Sequence, residues 1–275
     1  MRNFQNKVAV VTGGSSGIGR AIALELASCG CKLAVVGTSR TRIDETLALM
    51  PAGLLCKGYV CDVSDRAAVV ALADAVEQDF GQVDIIVNNA GITSSAPFAE
   101  FDMSLFDRII QTNFFGVVNC CYAFLPKLQA LGRGHIVNMS SMLGFVGVPN
   151  QSAYVATKFA IRGFTESLWA ELDDTDIGVT GIYPGTIQSE ILERASFSDA
   201  QEKEAMMKMM DRFGIPASDV AKKTVDAIRG RDREVIIGRD AKLLLGLNRL
   251  HTGLCHRLIA SGTQKAKGKI HSGEW

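Results

Sequence analysis

Long apolar runs are missing from this chain of 275 residues. The longest candidate, Phe114 to Leu125, is interrupted by Gly116 and Asn119 and falls short of the ~18 residues that span a bilayer. Behind Lys7, the stretch Val8-Ala9-Val10-Val11 is too brief for the apolar core of a signal peptide. The seven cysteines are odd in number and include no Cys-x-x-Cys, and four of them sit in adjacent or near-adjacent pairs that make poor structural disulfides. The four histidines lack metal-ligand spacing, so no metal is expected. These absences point to reduced thiols in a soluble cytoplasmic protein.

A surplus of charge is also lacking. There are 29 Lys and Arg against 29 Asp and Glu, which argues against nucleic acid as the main partner, because phosphate binding leaves a basic excess. At 47% hydrophobic and 21% charged residues, the composition argues against disordered or fibrous classes. The zero balance hides an asymmetry, however. Residues 239–275 carry seven Lys or Arg and two Asp or Glu, a net +5, so residues 1–238 carry −5.

What is present is an alternation of short β-branched runs with longer helical patterns. Val8–Thr12, Leu33–Val36, Leu55–Val60, Ile85–Asn88, His135–Met139, Gly178–Tyr183 and Glu234–Ile237 read as strands. Most lack polar alternation, as expected where helices cover both faces of a sheet. Helical patterns occupy 17–29, 41–49, 65–80, 102–130, 152–173, 216–229 and a last stretch near 240–260. The order implies an α/β fold with a doubly wound parallel sheet of about seven strands and helices on both faces. With no Pro- or Ser-rich linker, residues 1–238 read as one domain and 239–275 as a basic amphipathic extension.

In such sheets ligands bind beyond the carboxyl ends of the strands, so unusual residues are expected there. The first strand is followed by Thr12-Gly13-Gly14-Ser15-Ser16-Gly17-Ile18-Gly19. Glycines allow positive φ and close approach of backbone to a pyrophosphate, which the positive end of the next helix favours. Further on come Cys61-Asp62-Val63, Asn88-Asn89-Ala90-Gly91, Asn113, Ser141, Tyr154-x-x-x-Lys158 and Pro184-Gly185-Thr186. In order and spacing this set resembles the short-chain dehydrogenase/reductase family over roughly residues 5–240.

The resemblance implies a Rossmann-type fold, a nicotinamide dinucleotide and transfer of hydride between an alcohol and a carbonyl. It implies that Gly13, Ser15, Ser16, Gly17, Ile18 and Gly19 hold the pyrophosphate. Asp62 and Val63 would meet the adenine, Asn89, Ala90 and Gly91 would continue the dinucleotide site, and Pro184, Gly185 and Thr186 would hold the nicotinamide carboxamide. Tyr154 is implied as general acid/base and Ser141 as the hydrogen-bond partner of the substrate oxygen. Lys158 would bind the ribose hydroxyls, and Asn113 would support a water in a proton relay. Ser140 is the neighbouring alternative to Ser141, but strand alternation points adjacent side chains to opposite faces.

Coenzyme choice turns on the end of the second strand, where an acidic residue would repel a 2′-phosphate. Gly37-Thr38-Ser39-Arg40-Thr41-Arg42 contains no acid before Asp44. The hydroxyls of Thr38 and Ser39 with the Arg40 guanidinium suit phosphate, so NADP(H) is expected over NAD(H). Tyr154 and Lys158 are four residues apart and share one helix face. A lysine ammonium about 4 Å away at an effective dielectric near 20 contributes about 4 kcal/mol, enough to lower a phenol pKa by about three units.

The substrate-facing segments are expected at 92–98, at 142–150 and after Thr186. They hold Met142, Leu143, Phe145, Val146 and Val148, then Ile191, Leu192, Phe197, Met206, Met207, Met209, Met210 and Phe213. An apolar small-molecule carbonyl or alcohol suits such a lining, although the methionines equally suit packing of a helix. Alternatives are reduction of a 3-oxoacyl thioester and a non-catalytic dinucleotide-binding redox sensor. The resemblance also implies a homodimer or homotetramer, formed through the helices at 102–130 and 152–173. In the tail, Leu243, Leu244, Leu247, Leu250, Leu254 and Leu258 recur at mostly helical spacing beside Lys242, Arg249 and Arg257. Packing on the domain or in an oligomer is the first reading and peripheral contact with an anionic membrane the second. Lys265, Lys267 and Lys269 read as a disordered basic end.

Overall fold

The computed structural model describes residues 3–272 apart from Ser189 and Arg194, with side chains through Gln264. Seven strands, β1 (Val8–Thr12), β2 (Lys32–Gly37), β3 (Cys56–Val60), β4 (Ile85–Asn88), β5 (Gly134–Met139), β6 (Ile177–Pro184) and β7 (Glu234–Ile237), form one sheet. Their spatial order is β7-β6-β5-β4-β1-β2-β3, and every pairing in it is parallel. The order reverses at β1, with β2 on one side and β4 on the other. That is the switch point at which a crevice opens beyond the carboxyl ends.

All residues of β1, β4, β5 and β6 are buried, which is why their sequences show no polar alternation. One face of the sheet is covered by α3 (Arg66–Phe80), α5 (Gly116–Ala130) and α6 (Ser152–Glu171). Their apolar sides meet the sheet in a core that includes Val10, Val69, Val76, Phe124, Leu128 and Ile161. On the opposite face, α1 (Gly17–Ser28) and α8 (Ala217–Gly230) bury Ile22, Leu26, Val220 and Ile228 against Ala9, Val11 and Val137. Next to β2, α2 runs from Arg40 to Ala48.

The helix expected over 102–130 is interrupted. It comprises α4 (Met103–Ile110), a π turn at Gln111–Phe115 and α5. By length and composition Met103–Ala130 could cross a membrane, yet Val117, Cys120, Phe124 and Leu128 lie in the core. Past β6 comes α7 (Ala200–Phe213), in the segment expected to face the substrate. Two short parallel ladders tie its ends down: Ser94–Ser95 pairs with Ser196–Phe197, and Ile187–Gln188 with Ile215–Pro216.

The tail also departs from expectation. Instead of one helix near 240–260 there are two, α9 (Arg239–Leu250) and α10 (Thr252–Ser272), separated at His251, which adopts extended φ −155°. The backbone is helical where a disordered end was expected, while the side chains of Lys265, Lys267 and Lys269 lie outside the described residues.

Candidate active site

The glycine loop is built around Thr12, the last residue of β1. Its hydroxyl donates to the Val87 carbonyl at 3.2 Å and accepts from the amides of Asn89 at 3.0 Å and Ala90 at 3.2 Å. The Asn89 side chain donates back to the Thr12 carbonyl at 3.1 Å and the Gly13 carbonyl at 3.4 Å. The two segments that flank the switch point are thereby locked together. Gly13 sits at φ +62° and Gly17 at +50°, conformations that glycine adopts without strain. A Cβ on Gly19 would collide with the Gly13 carbonyl, so only glycine lets the helix press onto the loop. The motif's last glycine therefore acts from behind the loop.

Beyond this loop lies a cavity of about 290 Å³. Gly13, Ser15, Ser16, Gly17 and Ile18 line one side, Asp62, Val63, Asn89, Ala90 and Gly91 another, and Thr38 stands at the end of β2. Ile92, Thr93, Thr112, Glu190 and Ile191 close it. The residues fit a dinucleotide: a cradle that any Cβ would fill, opposite the first-turn N–H groups of α1, which have no partner within the helix. Asp62 is shaped by Ser64, whose amide and hydroxyl donate to its Oδ1 at 2.9 and 2.7 Å.

One expectation at this end is corrected. Arg40 does not line the cavity; its guanidinium meets the Asp44 carboxylate at 2.7 Å and the Gly58 carbonyl at 3.3 Å. The arginine on the cavity wall is Arg42. Asp44 stands four residues after Arg40, one helical turn along, so their pairing was readable as an i,i+4 ion pair. Ser39 is the residue from which α2 starts and is not part of the lining.

Chemistry-bearing side chains come together at the start of α6. Lys158 is 4% exposed, donates to the Met139 carbonyl at 2.8 Å, and lies 5.3 Å from the centre of the Tyr154 ring. The Ser141 side chain hydrogen-bonds the Tyr154 phenol, while its oxygen also accepts from the Leu143 amide at 3.1 Å. Ser140 faces the other way, its hydroxyl donating to the Lys158 carbonyl at 2.9 Å. Underneath, Asn88 donates to Asn138 at 2.8 Å and Asn138 to Thr165 at 2.9 Å, joining β4 and β5 to the helix that carries Tyr154.

The electrostatics reverse the sequence-based arithmetic. Burial pulls the Lys158 ammonium from its usual 10.5 down to about 7. Burial pushes the Tyr154 phenol up to about 12, with the Ser141 hydrogen bond opposing the rise. Desolvation disfavours each charged form by more than the pair regains, so without a further cation nearby the phenol keeps its proton at neutral pH. A protonated phenol is the form that donates to a developing alkoxide.

Asn113 lies in the π turn and is fully buried. Its oxygen accepts from the Ile92 amide at 2.8 Å, and its nitrogen donates to the Ile92 carbonyl at 2.9 Å and to Thr157 Oγ1 at 3.3 Å. Both donors of the side chain are thus engaged by protein. This amide fixes Ile92 of the cavity wall to Thr157, the neighbour of Lys158.

Pro184, Gly185 and Thr186 leave the end of β6. The Gly185 amide donates to the Ile237 carbonyl at 2.7 Å, and the Thr186 amide to Asp240 Oδ2 at 2.7 Å. The Asp240 carboxylate occupies the space a Gly185 Cβ would need. Sequence reasoning missed Asp240, Arg42 and the structural Thr12. The available signal for Asp240 was its sign, an acid in a tail whose other acid is Glu274. From the same tail, Asn248 donates to the Phe145 carbonyl at 3.0 Å, and Leu245 packs with Phe145 and Tyr183. The helix α7 is tied to the body by Glu202, which accepts from Ser95 Oγ at 2.7 Å and Asn150 Nδ2 at 3.1 Å.

This combination marks an oxidoreductase that works with a nicotinamide dinucleotide. Sequence similarity narrows the class: a family model for short chain dehydrogenases matches residues 7–200. The protein SadH of Mycobacterium tuberculosis is 39% identical over 270 residues, covering 96% of this chain and 98% of the relative. Dehydrogenase/reductase SDR family member 7B of Mus musculus is 31% identical over 270 residues, covering 96% and 83%. A short-chain dehydrogenase/reductase from Burkholderia phymatum, solved with NAD, superposes with a TM-score of 0.86 at 28% identity, covering 92% of this chain and 96% of its own. An alcohol dehydrogenase from Thermococcus sibiricus, complexed with 5-hydroxy-NADP, gives 0.73 at 26% identity over 84% and 95%. The chain belongs to the short-chain dehydrogenase/reductase family.

Proposed function

We propose that this chain interconverts an apolar alcohol and its carbonyl compound using NADP(H), with Tyr154 as general acid/base. The observation that carries the reading is the Ser141–Tyr154 hydrogen bond with Lys158 packed against the phenol ring. When bound, the nicotinamide supplies or accepts the hydride. Tyr154, protonated at neutral pH, donates to the substrate oxygen in the reducing direction, and the Ser141 hydroxyl helps to orient that oxygen. Lys158 anchors β5 to α6 through the Met139 carbonyl, and its ammonium would bind the ribose hydroxyls of the coenzyme. Pro184, Gly185 and Thr186, fixed in place by the Asp240 contact to the Thr186 amide, would hold the carboxamide end.

Preference for NADP(H) over NAD(H) is supported by Thr38 and Arg42 on the cavity wall and by the absence of an acid in Gly37–Arg42. Steady-state kcat/KM with NADPH and NADH tests it: a ratio well above one is expected, and a preference for NADH overturns it. An apolar substrate is supported by Ile191 at the cavity and by the half-buried Met206, Met207, Met209 and Met210 of α7. Assembly as a homodimer or homotetramer through α5 and α6 is supported by the exposure of Tyr122 and Phe159 on those helices. A screen of NADPH oxidation over apolar ketones, aldehydes and an acetoacetyl thioester tests the reaction. Silence across the panel favours a dinucleotide-binding sensor, and turnover of the thioester alone favours an acyl-thioester reductase.

A further inference from the structure

The tail carries apolar surface that the fold does not use. On α9, Ala241 and Leu245 are buried, while Leu243 is 76% and Leu250 87% exposed. Leu243 and Leu250 are two helical turns apart and share the outer side of the helix, opposite the side that holds Asn248 to Phe145. On α10, Cys255 is fully buried, while Leu254 is 41% and Leu258 54% exposed one turn apart. The helix α7, which touches α10, ends in the exposed Phe213.

Charge accompanies this surface, and past Asp240 the two helices themselves carry one sign. Lys242, Arg249 and Arg257 are exposed beside the leucines, and of these Arg249 also meets the Glu234 carboxylate at 3.5 Å. Between Asp240, which is engaged with the Thr186 amide, and Glu274 the sequence contains no acidic residue. Were two copies to meet face to face through this region, the isologous contact would set Lys242 and Arg257 against cations of the other copy, the nearby Glu234 carboxylate being already engaged by Arg249. A surface of dispersed anions above an apolar interior satisfies both features.

We propose that the outer face of α9 and α10 docks onto an anionic lipid bilayer, with its leucines in the headgroup region and its cations among the phosphates. Since the inner side of α9 holds the Thr186 amide and the Phe145 carbonyl, docking brings the substrate-facing loops to the membrane boundary.

The full-length protein is the material to test, because Leu245 and Cys255 are buried and removal of the tail would strip the domain. It is sedimented with vesicles of phosphatidylcholine alone and of phosphatidylcholine containing about a third phosphatidylglycerol, at low and high salt. Binding to the anionic vesicles is expected, weakened by salt, with little binding to the neutral ones. Leu243→Glu/Leu250→Glu should lower it at least tenfold. The charge variant Lys242→Glu/Arg257→Glu should do the same while leaving every buried residue in place. Equal binding to both vesicle types, or unchanged binding of both variants, overturns the proposal. So does loss of self-association by Leu243→Glu/Leu250→Glu in sedimentation velocity without loss of vesicle binding, which would make the occupant a second copy. Sedimentation reads binding alone, so the outcome is independent of the proposed reaction.

Discussion

Replacing Lys158 with methionine should make the protein more stable at neutral pH while removing its activity. The ammonium is buried, and its pKa falls from 10.5 to about 7. At about 1.4 kcal/mol per pH unit, charging it in the folded state costs about 5 kcal/mol relative to the unfolded chain. The hydrogen bond to the Met139 carbonyl returns about 1.5–3 kcal/mol of that. Methionine fills a similar volume, so a net gain of about 2–3 kcal/mol is expected for Lys158→Met near pH 6.5. The sign follows from linkage. Between about 7 and 10.5 the unfolded lysine holds a proton that the folded one has lost, so wild-type stability rises with pH relative to the variant. Urea unfolding of both proteins from pH 6.5 to 9.5 gives the two curves. The variant's advantage should be greatest at the acid end and shrink steadily toward pH 9.5. A variant less stable at every pH, or a gap that does not change with pH, would refute the argument that burial dominates this lysine.

Other expectations are more direct. Tyr154→Phe should lower kcat by about 100- to 10,000-fold while leaving the melting temperature within a few degrees; near-normal turnover would remove Tyr154 from the chemistry. Asn113→Ala leaves the Ile92 amide and carbonyl without their side-chain partner in a buried site and should cost about 2–4 kcal/mol, so an unchanged denaturation midpoint contradicts the positioning role. Asp240→Ala should raise KM for the coenzyme with little loss of stability, because the carboxylate is exposed. Asp240→Asn, which keeps an acceptor oxygen, should restore most of the affinity, and equal behaviour of the two variants would make the contact irrelevant. Gly19→Ala should abolish coenzyme binding measured by fluorescence titration, since its methyl group meets the Gly13 carbonyl.

The strands were legible almost to the residue. Buried parallel strands need continuous β-branched runs, and a chain this alternating offers few other places to put them. The glycine cradle and the Tyr154–Lys158 pair were equally plain, because both depend on local spacing. What escaped depends on partners far along the chain. The π turn exists where Asn113 is gripped by Ile92, and nothing in the helical pattern of 102–130 announces that grip. Arg40 and Arg42 look alike in sequence until Asp44 claims one of them. Lys158 was expected as a full charge, because spacing reveals its neighbour and not its desolvation. The tail was read as an appendage because its contacts with Thr186 and Phe145 cross 54 and 103 residues.

That last connection bears on how the protein is made. Every strand of the sheet has left the ribosome before Asp240 and Asn248 do, so the sheet can close before the loop after β6 is held. A nonsense mutation or proteolytic nick near residue 238 would strand a nearly complete chain that lacks the Asp240 and Asn248 contacts and bares the apolar patch around Phe145 and Tyr183. Such a product is a natural client for chaperones and proteases, so the contacts that tie the tail to the Thr186 loop also keep that patch covered.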